Sequence, residues 1–194
     1  MPQTTPTPQE EPQSSSGDSL KVTLYFWLQA AAGALVCILL LFTFVARGVG
    51  VVGSSMVPTL HNGDVMVVQS LGYTPKNGDV VVLTKRSFMT EPIVKRVIAT
   101  GGQTVHIDYA SGLVYVDGVP LDDSYINEPM QEPYSSTMSI TDVTVPEGCL
   151  FVMGDNRNAS TDSRDVRVGI IDQREVLGHA VLILFPFSDF GRIR

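Results

Sequence analysis

Apolar residues are distributed unevenly along the chain. Residues 1–18 are rich in Pro, Gln, Ser and Thr and contain almost no apolar side chains. Such a segment cannot bury enough surface to offset the entropy lost on ordering, so we expect a disordered tail over residues 1–21. An uncharged apolar run then extends from Tyr25 to Ala46. At roughly 22 residues it is about as long as a helix must be to cross a bilayer core.

The apolar run is interpreted as a transmembrane helix over residues 22–46. Tyr25 and Trp27 at one end suit a membrane interface, and Arg47 ends the run. A cleaved signal peptide is an alternative, but its apolar region would be shorter and a small-x-small cleavage site would follow it. A buried core helix is a third. Lys21 and Arg47 flank the two ends, so charge alone does not orient the helix.

Beyond Val49 the pattern changes to short Val- and Ile-rich runs separated by turns. Two Asn-Gly-Asp turns, at residues 62–64 and 77–79, each lead into an apolar run. The runs predict strands at residues 66–68, 81–83, 104–109, 113–116, 140–145, 149–153 and 181–185. The one helical candidate, residues 172–177, is short. Strands this closely spaced leave no room for parallel crossovers, so residues 47–194 are predicted to form an antiparallel, mainly β domain.

Composition excludes some classes of function. The chain has 194 residues and a formal net charge of −7, and it lacks the clustered Lys and Arg that a nucleic-acid partner requires. Cys37 lies in the apolar run and Cys149 lies far downstream, so a disulfide between them is not expected. The three histidines and two cysteines show no zinc-binding spacing. We therefore expect neither a metal nor a cofactor.

Gly53–Leu60, just beyond the apolar run, contains a candidate nucleophile, Ser55. A serine hydrolase needs a hydroxyl, a base and donors for the oxyanion. The Gly-x-Ser-x-Gly elbow is absent, and His61 is interpreted as a solvated loop residue rather than a triad member. Taken alone, the segment also fits a Ser-rich linker.

Lys95 is a candidate base within the predicted strand 93–98. Strand alternation places Ile93 and Val97, both apolar, on its face. Lost solvation lowers a lysine pKa, and a fall of roughly two to three units from about 10.4 would make Lys95 a working base near neutral pH. Alone, it also fits a lysine that reaches solvent from a strand edge.

The third element is the polar loop Gly154–Arg164, directly after the apolar run 150–153. Alone it fits a surface turn or a calcium loop. The calcium interpretation fails because no acidic residue stands where an EF-hand places its last ligand.

The three elements in this order, behind an apolar helix, resemble the type I signal peptidases in their compact Gram-positive form. The resemblance rests on Ser55-Met-Val-Pro-Thr59, on Val94-Lys-Arg-Val97 followed by Gly101-Gly102, and on Gly154-Asp-Asn-Arg157 with Ser160-Thr-Asp-Ser-Arg164. It extends from the apolar helix to about Pro186. It implies an antiparallel β-sheet catalytic domain of the signal peptidase/LexA-like type behind one N-terminal transmembrane helix.

The resemblance also implies roles for individual residues. Ser55 would attack the scissile carbonyl, and its backbone N–H would bind the oxyanion. Lys95 would take the hydroxyl proton and later give it to the leaving amine, while Ser160 would hydrogen-bond the Lys95 amine. The supporting residues would be Asp155, Asn156, Asp162, Arg164 and Arg96, with Asp162 and Arg164 forming a pair.

Two positions depart from common family patterns. Many Gram-negative members carry a serine two residues before the nucleophile as a second oxyanion donor, whereas this chain has Gly53. Gram-positive members commonly have glycine there, so Gly53 does not argue against activity. The second oxyanion donor is unidentified. Many members also have Asn immediately before the loop serine, where this chain has Ala159.

The implied substrates are exported preproteins with small residues at the first and third positions before the cut. An extended peptide points alternate side chains into the enzyme, and shallow apolar walls reject large ones. The wall candidates are Val51, Gly53, Met56, Ile93 and Val94. The resemblance further implies a single-pass plasma-membrane protein with a cytoplasmic tail (1–21) and an extracytoplasmic catalytic domain (47–194), the bilayer itself being a partner.

Two other functions fit parts of the pattern. A self-cleaving Ser/Lys protease of the LexA type would share the chemistry, but a membrane helix stands where a DNA-binding helix-turn-helix would be expected. A membrane-anchored β domain that binds exported proteins without cleaving them is the non-enzymatic alternative. A specialised paralogue with a narrow substrate range remains open within the first interpretation.

Overall fold

The computed structural model describes residues 16–44, 46–133 and 135–193. The chain divides into two compact units, one ending at Leu41 and one beginning at Phe42. Helix α1 extends over Ser16–Phe44. Within it, Leu20–Leu40 is long and apolar enough to cross a membrane.

The helix limits differ from the predicted ones. Most of the predicted tail, residues 1–15, lies outside the described residues, but residues 16–21 are helical. Extending an existing helix costs less than starting one, so polar residues can continue an apolar helix. At the other end Ala46 is not helical: it begins a strand, where it pairs with Gln69.

The second unit is built almost entirely of strands. They are β1 (Ala46–Gly50), β2 (Val65–Gln69), β3 (Val80–Leu83), β4 (Ile93–Thr100), β5 (Thr104–Asp108), β6 (Leu113–Val116), β7 (Val119–Pro120), β8 (Asp142–Thr144), β9 (Cys149–Met153), β10 (Ile171–Asp172), β11 (Val176–Phe185) and β12 (Gly191–Arg192). Two 3₁₀ turns, Arg157–Ala159 and Gln173–Glu175, interrupt the later part of the chain. The predicted mainly β class is confirmed.

The predicted helix at residues 172–177 is wrong. Only the 3₁₀ turn Gln173–Glu175 forms, and the Asp172 side chain caps it by accepting from the Arg174 N–H. Val176 already pairs with Leu83 on β3. Strand pairing therefore takes over after one turn, and β11 begins well before the predicted residue 181.

The strands form two antiparallel sheets. The larger has the order β1-β2-β11-β3-β4-β9-β10, with β12 also paired to β11, and the smaller has the order β7-β6-β5-β8. Strand β4 lies inside the larger sheet, between β3 and β9. Strand β1 forms one end of that sheet.

The apolar core covers both faces of β4. Ile98 and Ala99 belong to a buried cluster with residues of β5, β6 and β9, whereas Val97 belongs to another with residues of β3, β9 and β10. A third cluster joins β2, β3 and β11 to Met56 and Leu60 of the loop after β1. A side chain at the centre of β4 is therefore enclosed whichever way it points.

Candidate active site

Ser55 and Lys95 are in direct contact. Ser55 lies in the loop after β1 and its side chain is half-buried, while Lys95 lies near the start of β4 with 3% of its surface exposed. The Lys95 Nζ donates to Ser55 Oγ over 2.8 Å and to the Val94 carbonyl oxygen over 2.9 Å. The structure thus brings together two residues 40 positions apart that the sequence assigned to nucleophile and base.

Burial controls the ionisation of Lys95. Loss of solvent around the ammonium lowers its pKa from the ordinary 10.5 to about 8. The negative charges of Asp162 and Asp155 act in the opposite direction, and the positive charge of Arg164 adds to the lowering. With a pKa of about 8, about a fifth of the molecules carry a neutral amine at pH 7.4, compared with about a thousandth for a solvated lysine.

Three buried arginines form ion pairs with carboxylates around the site. Arg96 binds Asp155 through two hydrogen bonds of 2.8 and 2.6 Å, and Arg164 binds Asp162 at 2.8 and 2.9 Å. Arg157 reaches Asp123 over 2.8 Å. Among the described residues, no carboxylate lies within ion-pair distance of Lys95. Within this part of the structure, Lys95 therefore has no carboxylate close enough to hold its proton as an ion pair.

Asp162 anchors the polar loop. Burial by itself raises the pKa of Asp162, but the charge of Arg164 and hydrogen bonds from Arg164, the Gly154 N–H and Ser160 together keep that pKa below its usual range. The Gly154 N–H donates to Asp162 over 3.0 Å. The hydrogen bond from Ser160 places its hydroxyl beside Asp162. A hydrogen bond from Ser160 to the Lys95 amine stays a prediction.

The same loop holds the backbone around Ser55. The Asn156 backbone N–H donates to the Ser55 carbonyl oxygen and the Asn156 side-chain Nδ2 donates to the Ser54 carbonyl oxygen, both over 3.1 Å. Thr59 donates through Oγ1 to Asp155 over 2.5 Å. A Cβ on Gly154 would collide with Ser160 Oγ and with the Ser55 carbonyl oxygen. Only glycine therefore fits where the two segments meet.

The Ser55 backbone N–H is available as a donor for an oxyanion. Within the described parts of the chain, no hydrogen bond uses the Ser55 N–H. Gly53 has φ of +99°, a conformation that favours glycine, and its N–H donates to Asn62 Oδ1 over 3.0 Å. Because Asn62 already uses it, the Gly53 N–H is not the missing second donor.

A groove of about 450 Å³ opens in front of Ser55 and Lys95. All five predicted wall residues contribute to its lining: Val51, Gly53, Met56, Ile93 and Val94. The remaining lining residues are Val49, Gly50, Val52, Val82, Met89, Glu91 and Pro92. The walls are thus mainly aliphatic.

Sequence reasoning missed residues that join the site through the fold. Met89, Glu91 and Pro92 belong to the connection between β3 and β4, and only strand pairing brings that connection to the groove. The ring of Tyr125 lies 4.1 Å from the Arg96 guanidinium carbon. No local signal marked these residues. Arg157 lies inside a quoted motif, but nothing in the sequence indicated its partner Asp123.

A protein family and several individual proteins are similar to this chain. The family described as "Signal peptidase, peptidase S26" matches residues 24–185. The chain is 40% identical over 170 residues to a probable signal peptidase I-1 of Synechocystis sp., covering 82% of each chain. It is 35% identical over 179 residues to a signal peptidase I of Bacillus licheniformis, covering 89% of this chain and 94% of that one. A crystal structure of an Enterococcus faecalis signal peptidase I matches at 29% identity with a TM-score of 0.46, over 55% of this chain and 97% of that one.

Proposed function

Because this chain belongs to the signal peptidase family, peptidase S26, we propose that Ser55 is its nucleophile and Lys95 its general base. The chain is a serine peptidase that removes signal peptides from preproteins. The observation that carries the assignment is the 2.8 Å hydrogen bond between Lys95 Nζ and Ser55 Oγ, made by an amine whose pKa burial lowers to about 8.

The acylation half-reaction follows from this geometry. Neutral Lys95 accepts the Ser55 proton while Oγ attacks the scissile carbonyl, and the Ser55 N–H donates to the developing oxyanion. When the tetrahedral intermediate collapses, the C–N bond breaks and the Lys95 ammonium protonates the leaving amine. The signal peptide then remains as an ester on Ser55, and Lys95 is neutral again.

Deacylation repeats the same proton path with water. Lys95 takes a proton from water as the water oxygen bonds to the ester carbon. The C–O bond to Ser55 then breaks, the signal peptide leaves with a new carboxyl group, and Lys95 returns the proton to Ser55 Oγ. No histidine is needed, because a desolvated lysine has a pKa close enough to working pH to act in both steps.

The supporting residues act by holding the two catalytic side chains in place. Asp162 and Arg164 fix the loop that carries Ser160, and Ser160 orients the Lys95 amine. Asn156 holds the backbone of the nucleophile segment, and the pair of Arg96 with Asp155 joins β4 to the same loop. These contacts limit the movement of Ser55 relative to Lys95, which matters because misplacement by about 1 Å can cost about a hundredfold in rate.

The groove supports selection for small residues before the cut. An extended substrate directs every second side chain to the same wall, so the first and third positions before the scissile bond face the groove together. Walls formed by Val51, Met56, Ile93 and Val94 exclude large side chains by contact.

The location follows from the substrate. The cleavage sites of exported preproteins emerge on the outer side of the membrane, so residues 47–194 lie outside the cytoplasm, residues 1–21 lie inside, and α1 crosses the plasma membrane once. Tethering enzyme and substrate in one bilayer raises their effective concentration for each other. Added protease should digest the catalytic domain on intact cells without permeabilisation; protection there would contradict this orientation.

Cleavage of a preprotein by the full chain in detergent tests the assignment. Ser55→Ala and Lys95→Ala should each abolish cleavage after a small-x-small sequence. The matched controls are Ser54→Ala, which removes the neighbouring exposed hydroxyl, and Lys76→Ala, which removes an exposed lysine; both should keep wild-type cleavage. Cleavage retained in Lys95→Ala would overturn the assignment of the base.

A further inference from the structure

Asp64 is a buried carboxylate that has no cationic partner among the residues described by the structure. Four aspartates in the described residues are buried, at 0–2% exposure: Asp64, Asp155, Asp162 and Asp165. The last three each bind an arginine. No ion pair to Asp64 exists in the described ranges, and the one hydrogen bond to its carboxylate there comes from the His61 N–H to Oδ2 over 2.8 Å. Buried carboxylates ordinarily pair with a base or coordinate a metal.

Two further ligand-forming side chains lie beside Asp64. One ligand atom each from His61, Asp64 and Asp189 lies within 4.8 Å of the other two. His61 and Asp189 are exposed, so an ion could enter from solvent, whereas Asp64 forms the floor. Two of the side chains come from the turn before β2, and the third comes from the segment between β11 and β12.

We propose that His61, Asp64 and Asp189 bind a divalent transition-metal ion, with zinc as the ion that the donor set fits best. One imidazole nitrogen and two carboxylate oxygens are donors that zinc accepts at about 2.0–2.2 Å, and water would complete four-coordination. The three ligand atoms now lie within 4.8 Å of one another, and they need to approach by only about 1–2 Å to share one ion. Rotation of the exposed His61 and Asp189 side chains allows this approach. The bound ion would also give the Asp64 carboxylate a cationic partner.

The site has a structural consequence for the groove. The Asp64 carbonyl oxygen accepts from the Val51 N–H over 2.8 Å, and Asn62 accepts from the Gly53 N–H over 3.0 Å. Val51 and Gly53 both line the groove. A metal that links the turn to the segment carrying Asp189 therefore stabilises one wall of the groove, and it takes no part in the Ser55 chemistry.

Sequence spacing could not reveal this site. His61 and Asp64 are three residues apart, but Asp189 lies far along the chain and reaches them only because β11 pairs with β2. The sequence near His61 contains no second histidine or cysteine that would form a short zinc-binding motif.

Metal titration of the full chain in detergent, after chelator treatment, tests the proposal. Co²⁺ reports four-coordinate binding through its visible absorption, and Zn²⁺ is measured by calorimetry and by the thermal midpoint of the catalytic domain. The variants are His61→Ala and Asp189→Asn. His106→Ala is the matched control, because it removes another exposed histidine that contacts an aspartate, Asp142, at 2.6 Å.

We expect one saturable ion per wild-type chain and a rise in thermal midpoint on Zn²⁺ addition. His61→Ala and Asp189→Asn should weaken binding by at least about tenfold and remove the rise, since even outer-sphere changes cost that much. His106→Ala should bind as the wild type does. The proposal is overturned by absence of saturable binding, by unchanged binding in His61→Ala, or by an equal loss in His106→Ala.

Discussion

Replacing Lys95 by methionine should stabilise the protein while abolishing its activity. The change keeps an unbranched side chain of similar length on β4 and removes the ammonium group. At neutral pH the folded protein must hold a mostly protonated amine that is only 3% exposed, without a carboxylate in ion-pair contact in the described structure. Methionine removes that penalty.

The size and pH dependence follow from the pKa. Folding lowers the pKa of Lys95 from 10.5 to about 8, and this difference corresponds to about 3 kcal/mol at about 1.4 kcal/mol for each pH unit. Between pH 8 and 10.5 the unfolded chain keeps the proton that the folded chain has lost, so wild-type stability rises with pH across that window. The penalty is therefore complete below pH 8, and about 1 kcal/mol of it should remain at pH 10.

Urea unfolding of the full chain in detergent, followed by near-UV circular dichroism, measures this effect. Lys95→Met should exceed the wild type in free energy of unfolding by about 3 kcal/mol at pH 7, with the gap closing towards pH 10. Lys76→Met, at an exposed lysine, is the control and should change stability by no more than about 0.5 kcal/mol at any pH. A destabilised Lys95→Met, or a gap independent of pH, would refute the desolvation argument.

Three further substitutions probe the contacts around the site. Gly154→Ala should lower kcat/KM by at least about a hundredfold, because the added Cβ displaces the Ser55 backbone carbonyl. Gly48→Ala is the control and should keep wild-type activity, because the space around its Cβ is open. Equal activity in the two variants would contradict the close packing at Gly154. Asn156→Ala removes the side-chain hydrogen bond to the Ser54 carbonyl oxygen and should reduce kcat/KM by about three- to tenfold. A wild-type kcat/KM would contradict a positioning role for Asn156. Asp155→Ala leaves Arg96 buried without its carboxylate and should lower the free energy of unfolding, measured in urea, by about 3–5 kcal/mol. A decrease below about 1 kcal/mol would contradict a stabilising role for the buried pair.

Much of the fold could be predicted because the apolar pattern is local. The strand runs around Val67, Val82 and Val152 all form strands, since β-branched residues between turns favour them. The helix predicted at 172–177 failed because pairing of Val176 with β3 outweighed the local pattern. Sheet order depends on contacts between distant segments, and no local pattern carries it.

In the candidate site too, some features could be predicted from local sequence, whereas others depend on contacts in the folded chain. The sequence indicated Lys95 by its apolar neighbours, and the structure adds that both faces of β4 are covered, which buries Arg96 as well. Asp123 and Asp189 could not be predicted, because each reaches its cluster only through the folded chain. The motifs therefore indicate the candidate chemistry, whereas the absence of an ion pair at Lys95 among the described residues depends on tertiary structure.

The pH dependence of kcat/KM for preprotein cleavage tests the central claim most directly. If neutral Lys95 is the base, kcat/KM should rise about tenfold per pH unit in the acid range, bend at about 8 and stay level above it. The substrate should lack titrating groups next to the cut, so that the bend belongs to the enzyme. A bend near 6.5, the ordinary pKa of histidine, or a rate independent of pH would contradict the assignment of Lys95.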